Sequence, residues 1–313
     1  MIKCVIATSE LELWKTELER PEFASFQTAL VDNSEEAAAH LAEAEVAIGI
    51  PFLLAPGLEG APNLKWVQST FTGFDALCAP GMRRDYALTN MREVFSKPIA
   101  EYVFAHLLAH KNLLAKHTAD QANSTWNQVP SKQIAGSTMI IFGTGSIGSE
   151  IARTAKAFGI QTIGINRSGR QVADFDQIYT MANVDQALAE PADTVVTVLP
   201  DTPETSNYFD SAFFDKLQGS PLFINVGRGQ SVVEHDLIAA LDQAKLDHAV
   251  LDVFQTEPLP KSSPLWSHDK VTVTPHKSGY ISMQPIIDVV AENCRRYVSG
   301  EELIHLADFE KGY

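Results

Sequence analysis

The sequence predicts an α/β protein of two domains, each built on a parallel sheet. Short apolar stretches of strand type alternate with segments whose apolar residues recur at helical spacing, as in parallel sheets covered by helices. The length of 313 residues suffices for about two domains. One glycine-rich segment, 138–170, runs strand, tight turn, helix, strand, and we expect the rest of the chain to be organised around it.

Charge and cysteine content exclude several classes of protein. The formal net charge of −15 repels nucleic acid and anionic lipid, so we predict neither as a partner. No apolar run reaches the roughly 18 residues of a membrane span, and the first residues indicate a strand rather than a signal peptide. The three cysteines are far apart in the chain and no two of them form a C-x-x-C motif, which argues against a disulfide framework or a zinc site. We therefore expect a cytoplasmic protein without a metal.

The first domain is predicted from alternating strand and helix signals in residues 1–98. A helix at 284–299 returns to this domain, so we place it at residues 1–98 and 280–313, with 99–279 as an inserted domain. Ser34 is the expected N-cap of the second helix. The predicted strands are 3–7, 29–32, 45–50, 64–69 and 86–89, and the predicted helices are 10–19 and 34–44.

A single long helix, 97–116, is predicted to start the inserted domain. Its apolar residues cover more than one face, which suggests burial on two sides at a subunit contact. His106 and His110 are four residues apart and could hold a metal, but no third ligand is evident, and we favour interface histidines. A polar loop or arm, 121–136, with Trp126 embedded in it, follows the helix.

The next segment carries a dinucleotide-binding fingerprint. Gly143, Gly145 and Gly148 have G-x-G-x-x-G spacing between an apolar strand at 139–142 and a helical run at 150–158. The first glycine permits a tight turn, the second lets the backbone approach a pyrophosphate, and the third lets the helix lie close to the strand. The phosphates would lie at the helix N-terminus. A glycine-rich turn without a ligand is the alternative, and the flanking elements disfavour it.

The residues after the next strand indicate which nucleotide is bound. A site for NAD usually has an acid there to accept from the ribose 2′-OH. This chain has Asn166, Arg167, Ser168 and then Arg170, with no acid until Asp174. Because arginine can grip a 2′-phosphate and serine can donate to it, we predict NADPH over NADH. Solvated arginines in a surface loop are the alternative.

Polar clusters follow three of the later strands. Parallel α/β sheets bind ligands beyond the carboxyl ends of their strands, so these clusters are the expected site. The later strands are predicted at 161–165, 194–199, 222–226, 249–254 and 271–274, and the clusters at 225–229, 251–258 and 274–279.

With these features the chain resembles the D-isomer-specific 2-hydroxyacid dehydrogenases, and among them the short glyoxylate/hydroxypyruvate reductase-like members. The resemblance covers most of the chain and rests on the fingerprint, the segment Leu199-Pro200-Asp201-Thr202-Pro203-Glu204-Thr205, and the order of the Arg, Glu and His clusters. It implies a Rossmann-type cofactor domain inserted in a flavodoxin-like substrate domain. It also implies a homodimer, with the long helix and the arm at the dimer contact.

The resemblance assigns the catalytic chemistry to three residues. Arg228 would hold the substrate carboxylate and keto oxygen, for which an arginine fork is suited. His276 would protonate the keto oxygen as hydride arrives from the nicotinamide. Glu257 would pair with His276, since a carboxylate beside an imidazolium favours its charged form. Each residue alone could be a surface or loop residue, but their joint placement after successive strands argues against three coincidences.

The remaining site residues are also implied by the resemblance. A loop made of Phe71, Thr72 and Gly73 would present backbone N–H groups to the substrate carboxylate. Asp252 would lie near the nicotinamide amide. The full set of predicted cofactor-binding residues is Gly143, Thr144, Gly145, Ser146, Ile147, Gly148, Asn166, Arg167, Ser168, Leu199, Pro200, Thr205, Val226, Gly227 and Asp252.

The predicted function is reduction of a small 2-keto acid, glyoxylate-like or hydroxypyruvate-like, to the D-2-hydroxy acid, with NADP(H) preferred and NAD(H) possible. Lys277 and Tyr280 stand where the family usually has small apolar residues, so no single substrate is carried over. The first alternative is a catalytically silent NAD(P)H-sensing binding protein of the same fold. The second is an NADH-linked dehydrogenase of a larger 2-hydroxy acid.

Overall fold

A computed structural model describes residues 1–79 and 81–309 of the chain. The chain divides into two compact units. One is formed by residues up to Val94 together with the chain from Ile281 onwards, and the other is Phe95–Tyr280. The sequence predicts the corresponding boundaries at 98/99 and 279/280.

The first unit is a five-stranded parallel sheet with helices. The sheet order is β2-β1-β3-β4-β5, which is the flavodoxin-like order. Its strands are β1 (Ile2–Ala7), β2 (Phe26–Val31), β3 (Val46–Gly49), β4 (Trp66–Ser69) and β5 (Ala87–Thr89). Its helices are α1 (Leu11–Glu17), α2 (Ser34–Leu41), α3 (Pro51–Leu54) and the last helix of the chain, α10 (Gln284–Ser299).

The second unit contains a seven-stranded parallel sheet. Its strands are β6 (Thr138–Phe142), β7 (Gln161–Asn166), β8 (Gln177–Thr180), β9 (Thr194–Thr197), β10 (Leu222–Asn225), β11 (His248–Leu251) and β12 (Val271–Val273). Its helices are α4 (Ser96–Lys111), α5 (Leu114–Ala122), α6 (Ser146–Ala157), α7 (Val184–Ala187), α8 (Ser211–Lys216) and α9 (Glu234–Asp242).

The strand order of this sheet, β12-β11-β10-β9-β6-β7-β8, identifies the Rossmann arrangement. The chain runs outward from β6 to β8, then returns to the other side of β6 and continues from β9 to the opposite edge. This reversal creates the switch point beside which doubly wound sheets bind ligands. The predicted α/β class, a Rossmann-type domain inserted in a flavodoxin-like one, is confirmed.

Alternate residues of β6 explain why both faces of this sheet are covered. Ile140 and Phe142 belong to one apolar core, whereas Met139 and Ile141 belong to the other. All four are fully buried, as expected for a central parallel strand with helices on both faces. The second core also contains residues of α4 and α6, and the ring of Phe104 stacks on that of Phe158 with centroids 5.2 Å apart.

The predicted single helix at 97–116 is wrong. The chain forms α4 and α5 with a break at Leu113, whose φ of +57° lies in the left-handed region and ends the α-helical hydrogen bonding. No side chain of α5 is buried, and Trp126 in the following arm is 92% exposed. Strand β8 and the helices α3, α7, α8 and α9 were not predicted; all of them are short and give a weak periodic signal.

The histidines of α4 have local partners. His106 lies against Tyr102 with ring centroids 4.4 Å apart, and the His110 ring nitrogen is 3.1 Å from Asp247. Among the described residues there is no group of three histidine, cysteine or acidic side chains that could hold a metal ion. In the same part of the chain, no helix is both long enough and apolar enough to span a membrane.

The N-cap of α2 is Asn33, not Ser34. The Asn33 side chain accepts a hydrogen bond from the backbone N–H of Glu36 at 2.9 Å, and the helix begins at Ser34. An asparagine can satisfy this N–H as well as a serine can, so residue type alone does not favour Ser34 over Asn33.

We expect Asn33→Ala to lower the free energy of unfolding by about 1 kcal/mol, because the Glu36 N–H loses its acceptor. Ser34→Ala is the matched control and should change it by less than about 0.5 kcal/mol. Urea denaturation followed by circular dichroism measures both. A larger loss for Ser34→Ala would contradict the assignment.

Candidate active site

The glycine-rich turn after β6 has a different requirement at each glycine. Gly143 has a φ of +100°, and a Cβ there would lie 2.7 Å from the Val198 side chain. A Cβ on Gly148 would lie 1.9 Å from the Gly143 carbonyl oxygen, so the helix can approach the strand only without a side chain. Gly145 has an ordinary φ of −76°, and a Cβ would meet nothing within 4 Å. Protein packing therefore leaves the space beside Gly145 open.

The backbone N–H groups around Gly145 fit an anion. Within residues 1–79 and 81–309, the N–H groups of residues 144–148 donate to no protein acceptor. They lie at the N-terminus of α6, a 12-residue helix whose dipole favours negative charge. The open space and these N–H groups fit the pyrophosphate of a dinucleotide. The set includes the predicted residues Thr144, Ser146 and Ile147.

The loop after β7 is organised by Asn166. Its side-chain amide donates to Thr144 Oγ1 at 3.1 Å and to the Arg170 carbonyl at 3.0 Å, and its oxygen accepts from the Gly169 N–H. Arg167 and Ser168 are exposed at the tip of this loop. Asn166 therefore ties the loop of these two residues to the glycine-rich turn.

The loop after β9 is shaped by Thr205. Its hydroxyl donates to the Pro200 carbonyl at 2.6 Å and accepts from the Thr202 N–H at 3.0 Å. A hydrogen bond from its own backbone N–H and another from Thr202 lower the pKa of the exposed Glu204, with a smaller effect from the charge of Arg167. The Arg167 loop therefore lies within electrostatic reach of this loop.

Arg228 lies in a turn held by a buried amide. The Asn225 side chain accepts from the Gly227 N–H at 3.0 Å and donates to the Arg228 carbonyl at 3.1 Å. The Arg228 guanidinium donates to the Gly227 carbonyl at 2.8 Å. A Cβ on Gly227 would lie 2.6 Å from the Leu199 carbonyl oxygen, which places this turn directly against the loop after β9.

The Arg228 turn also contacts the loop that carries Glu257. A Cβ on Gly229 would lie 1.9 Å from the Phe254 carbonyl carbon, so the two backbones touch. The Phe254 N–H in turn donates to Glu257 Oε1 at 2.9 Å. Val226, Leu199 and Phe254 are buried beneath these loops.

Glu257 and His276 form a hydrogen-bonded pair. Glu257 Oε2 lies 2.7 Å from His276 Nδ1, and both side chains are partly exposed. Partial burial opposes the charge of Glu257, but the hydrogen bonds from His276 and Phe254 outweigh it. Together with the charges of His276 and Arg228, they hold the pKa of Glu257 below its usual range. Glu257 therefore stays a carboxylate at neutral pH and can accept from imidazole.

Asp252 holds the loop that carries His276. Its fully buried carboxylate accepts from the Thr274 hydroxyl at 2.6 Å and from the N–H groups of Lys277 and Ser278, each at 2.8 Å. Its carbonyl accepts from the His276 N–H at 2.8 Å. These contacts define a structural function for Asp252 besides the predicted proximity to the nicotinamide.

The predicted substrate loop belongs to the first unit. The Phe71 N–H donates to Ser69 Oγ, so it is already in use, and the Thr72 hydroxyl donates to the Met91 carbonyl. Within the described part of the chain, the N–H groups of Thr72 and Gly73 have no protein acceptor. These two groups are the better candidates for an anion.

Sequence reasoning assigned no function to three residues that position the site. Asn225 and Thr274 lie in the predicted polar clusters at 225–229 and 274–279, but no function was predicted for either. Tyr102 carries no such signal, because only the folded chain brings helix α4 beside the end of β12. The exposed Lys277 and Tyr280 lie on the same loop as His276.

The chain belongs to the D-isomer specific 2-hydroxyacid dehydrogenase family. The sequence profile of the family's NAD binding domain matches residues 104–278. With glyoxylate/hydroxypyruvate reductase A of Serratia proteamaculans the chain is 31% identical over 220 residues, which are 70% of this chain and 69% of that protein.

Solved structures share the fold over nearly the whole chain. A family member from Aeromonas salmonicida has a TM-score of 0.90 at 37% identity, covering 98% of this chain and 99% of that one. The NADPH-dependent glyoxylate/hydroxypyruvate reductase of Sinorhizobium meliloti, solved with NADP and sulfate, has a TM-score of 0.88 at 29% identity, with 100% of both chains covered. A probable 2-hydroxyacid dehydrogenase of Rhizobium etli, solved with NADP, HEPES and L(+)-tartaric acid, has a TM-score of 0.87 at 27% identity, again with 100% of both chains covered.

Two glycine substitutions separate packing from ligand approach. We expect Gly148→Ala to lower the free energy of unfolding by roughly 1–3 kcal/mol, because its Cβ would overlap the Gly143 carbonyl. Gly145→Ala should leave stability nearly unchanged but weaken NADPH binding roughly tenfold. Thermal denaturation and fluorescence titration with NADPH measure the two effects. Unchanged NADPH affinity in Gly145→Ala would mean that the open space is not the pyrophosphate site.

Proposed function

We propose that this protein reduces a small 2-keto acid, glyoxylate-like or hydroxypyruvate-like, to the D-2-hydroxy acid with NAD(P)H. The observation that carries the proposal is the Glu257–His276 pair, 2.7 Å apart, together with the packing of the Glu257 loop against the Arg228 turn. Family membership and the names of the relatives from Serratia proteamaculans and Sinorhizobium meliloti support it.

Arg228 and His276 have separate functions in the proposed reaction. The reduced nicotinamide, when bound, supplies the hydride that adds to the keto carbon. Arg228 binds the substrate carboxylate and keto oxygen and stabilises the charge that develops on that oxygen. His276 gives a proton to the same oxygen, which completes the hydroxyl group.

The hydrogen bond to Glu257 defines which nitrogen of His276 acts. Nδ1 faces Glu257 Oε2, so Nε2 is the nitrogen left to donate a proton to the substrate. After the transfer, the remaining proton on Nδ1 still bonds the carboxylate. Glu257 therefore fixes the tautomer and the ring orientation in both states, as a carboxylate does in other acid–base sites.

We propose NADP(H) as the preferred cofactor, with NAD(H) possible. The loop after β7 has no acid between Asn166 and Arg170, and it presents Arg167 and Ser168 to solvent. A 2′-phosphate would find a guanidinium and a hydroxyl there, whereas NADH would find no carboxylate for its 2′-OH. The two relatives solved with NADP support this assignment.

The exposed arm suggests the oligomeric state. Helix α5 buries no side chain, and Trp126 beside it is 92% exposed. Tryptophan is enriched at protein–protein interfaces, which supports a partner at this surface. We propose that a second copy of the chain covers it in a homodimer, and that the protein works in the cytoplasm.

A catalytically silent NAD(P)H-binding protein is the alternative, and Arg228 distinguishes the two. We expect Arg228→Ala to lower kcat/KM for glyoxylate or hydroxypyruvate by about 10²- to 10³-fold, because the substrate anion loses its clamp. The kcat/KM of Arg228→Lys should lie between those of the unaltered protein and Arg228→Ala, since lysine keeps the positive charge but cannot make two parallel hydrogen bonds. Oxidation of NADPH at 340 nm, with glyoxylate, hydroxypyruvate, pyruvate and phenylpyruvate in turn, measures both.

Arg295→Ala is the control for this series, because Arg295 lies on α10 in the first unit, where it pairs with Glu292 and Glu301. It should retain full activity. Full turnover by Arg228→Ala would contradict the proposed function. Tight NADPH binding by the unaltered protein without turnover of any of the four acids would favour the silent binding protein.

The cofactor assignment depends on Arg167. We expect Arg167→Ala to lower kcat/KM for NADPH by about 10- to 100-fold, because a charged hydrogen bond to the 2′-phosphate is lost, and to leave kcat/KM for NADH unchanged. Parallel assays with the two nucleotides measure the ratio. Arg153→Ala, at an exposed arginine paired with Glu150, is the control. An equal loss of kcat/KM with both nucleotides would show that Arg167 does not bind the 2′-phosphate.

A further inference from the structure

A chain of short hydrogen bonds connects helix α4 to the loop of His276. The Tyr102 hydroxyl lies 2.6 Å from Thr274 Oγ1, and Thr274 Oγ1 lies 2.6 Å from Asp252 Oδ1. Asp252 then accepts from the N–H groups on the far side of His276, those of Lys277 and Ser278. All of these residues belong to the second unit.

The chemistry of the end groups determines the direction of these bonds. A carboxylate only accepts, so the Thr274 hydroxyl must donate to Asp252. Its oxygen can then only accept from the Tyr102 hydroxyl, which is the donor at the other end. Burial raises the pKa of Tyr102 to about 12, with a further contribution from the charge of Asp252, so this hydroxyl keeps its proton at neutral pH.

His276 needs such support because its backbone is strained. Its φ of +47° is in the left-handed region, which a non-glycine residue adopts only where the surroundings impose it. Its own side chain is about half exposed and makes one hydrogen bond among the described residues, to Glu257. The conformation therefore depends on the hydrogen bonds of the loop backbone: the His276 N–H donates to the Asp252 carbonyl, and the Asp252 carboxylate binds Thr274 before it and Lys277 and Ser278 after it.

We propose that Tyr102 is a positioning residue for the reaction: through Thr274 and Asp252 it holds the His276 loop in the conformation that aims the imidazole at the substrate. This rests on the proposed function for His276. Tyr102 touches neither His276 nor the substrate anion in this scheme. Its hydroxyl restrains Thr274, Thr274 restrains one oxygen of Asp252, and Asp252 fixes the backbone N–H groups of the loop.

Tyr102→Phe removes only the first hydroxyl and keeps the ring. We expect kcat to fall about tenfold with KM for the keto acid changed by less than about twofold, because a loosened general acid weakens the transition state more than the ground state. Thr274→Val should be at least as impaired, and Thr274→Ser, which keeps the hydroxyl, should retain most of the activity. The double variant Tyr102→Phe/Thr274→Val should be no worse than Thr274→Val, because both changes break one chain of bonds.

Amide hydrogen exchange gives a second measurement that needs no turnover. In Tyr102→Phe, the N–H groups of Lys277 and Ser278 should exchange about ten times faster than in the unaltered protein, because their acceptor is less restrained. Tyr297→Phe is the matched control: its hydroxyl donates to Glu45 at 2.7 Å in the first unit. It should lose stability without a change in kcat or in exchange at these two amides.

The outcomes separate this inference from the proposed function. Unchanged exchange at Lys277 and Ser278 in Tyr102→Phe would overturn the positioning role, whether or not the enzyme is active. Faster exchange with unchanged kcat would overturn its importance for the reaction. If Tyr102→Phe exchanges faster but the unaltered protein turns over no keto acid, the restraint on the loop would stand and the proposed function would be rejected.

Discussion

The buried carboxylate of Asp252 is the interaction on which the proposed site depends most. A carboxylate with no exposed surface is unfavourable unless hydrogen bonds replace its water. Here the replacement comes from the Thr274 hydroxyl and the N–H groups of Lys277 and Ser278. Because these donors belong to one short loop, the cost of burying the charge is offset in only one conformation of that loop. That conformation places His276 beside Glu257.

Close backbone contacts join the loops at the carboxyl ends of neighbouring strands. Strands β6, β9, β10, β11 and β12 are successive neighbours in it, so the loops after them lie side by side. Glycines let these loops touch: Gly143 lies on Val198, Gly227 on Leu199 and Gly229 on Phe254. The glycine-rich turn, the Arg228 turn and the loop of Glu257 are therefore linked by close packing, and a side chain at any of these glycines would push neighbouring loops apart.

Local charge runs against the charge of the whole chain. The net charge is −15, which repels the anionic substrate proposed here. Arg228 and Lys277 lie on two of the loops at the sheet edge, and Arg167 lies on a third. Positive charge on these loops gives an anionic keto acid and a 2′-phosphate a local attraction, while the acidic remainder of the surface disfavours other polyanions. Glu257 adds a carboxylate to this edge, but its hydrogen bond to His276 pairs it.

The sequence alone determined the class of the fold, the order of its two units and most of its strands, because a parallel sheet buried on both faces requires short apolar runs between helices. It also indicated the family and the separate segments of the proposed site, because glycine spacing and polar residues at strand ends are local properties. The N-cap of α2 and the break in helix 97–116 were predicted wrongly: Asn33 and Ser34 are equivalent as residue types, and nothing local marks Leu113 for a positive φ. Only the tertiary structure decided how the site is held. Tyr102 and Thr274 are 172 residues apart in the chain, and their hydrogen bond exists because α4 packs beside the end of β12, which no local pattern encodes.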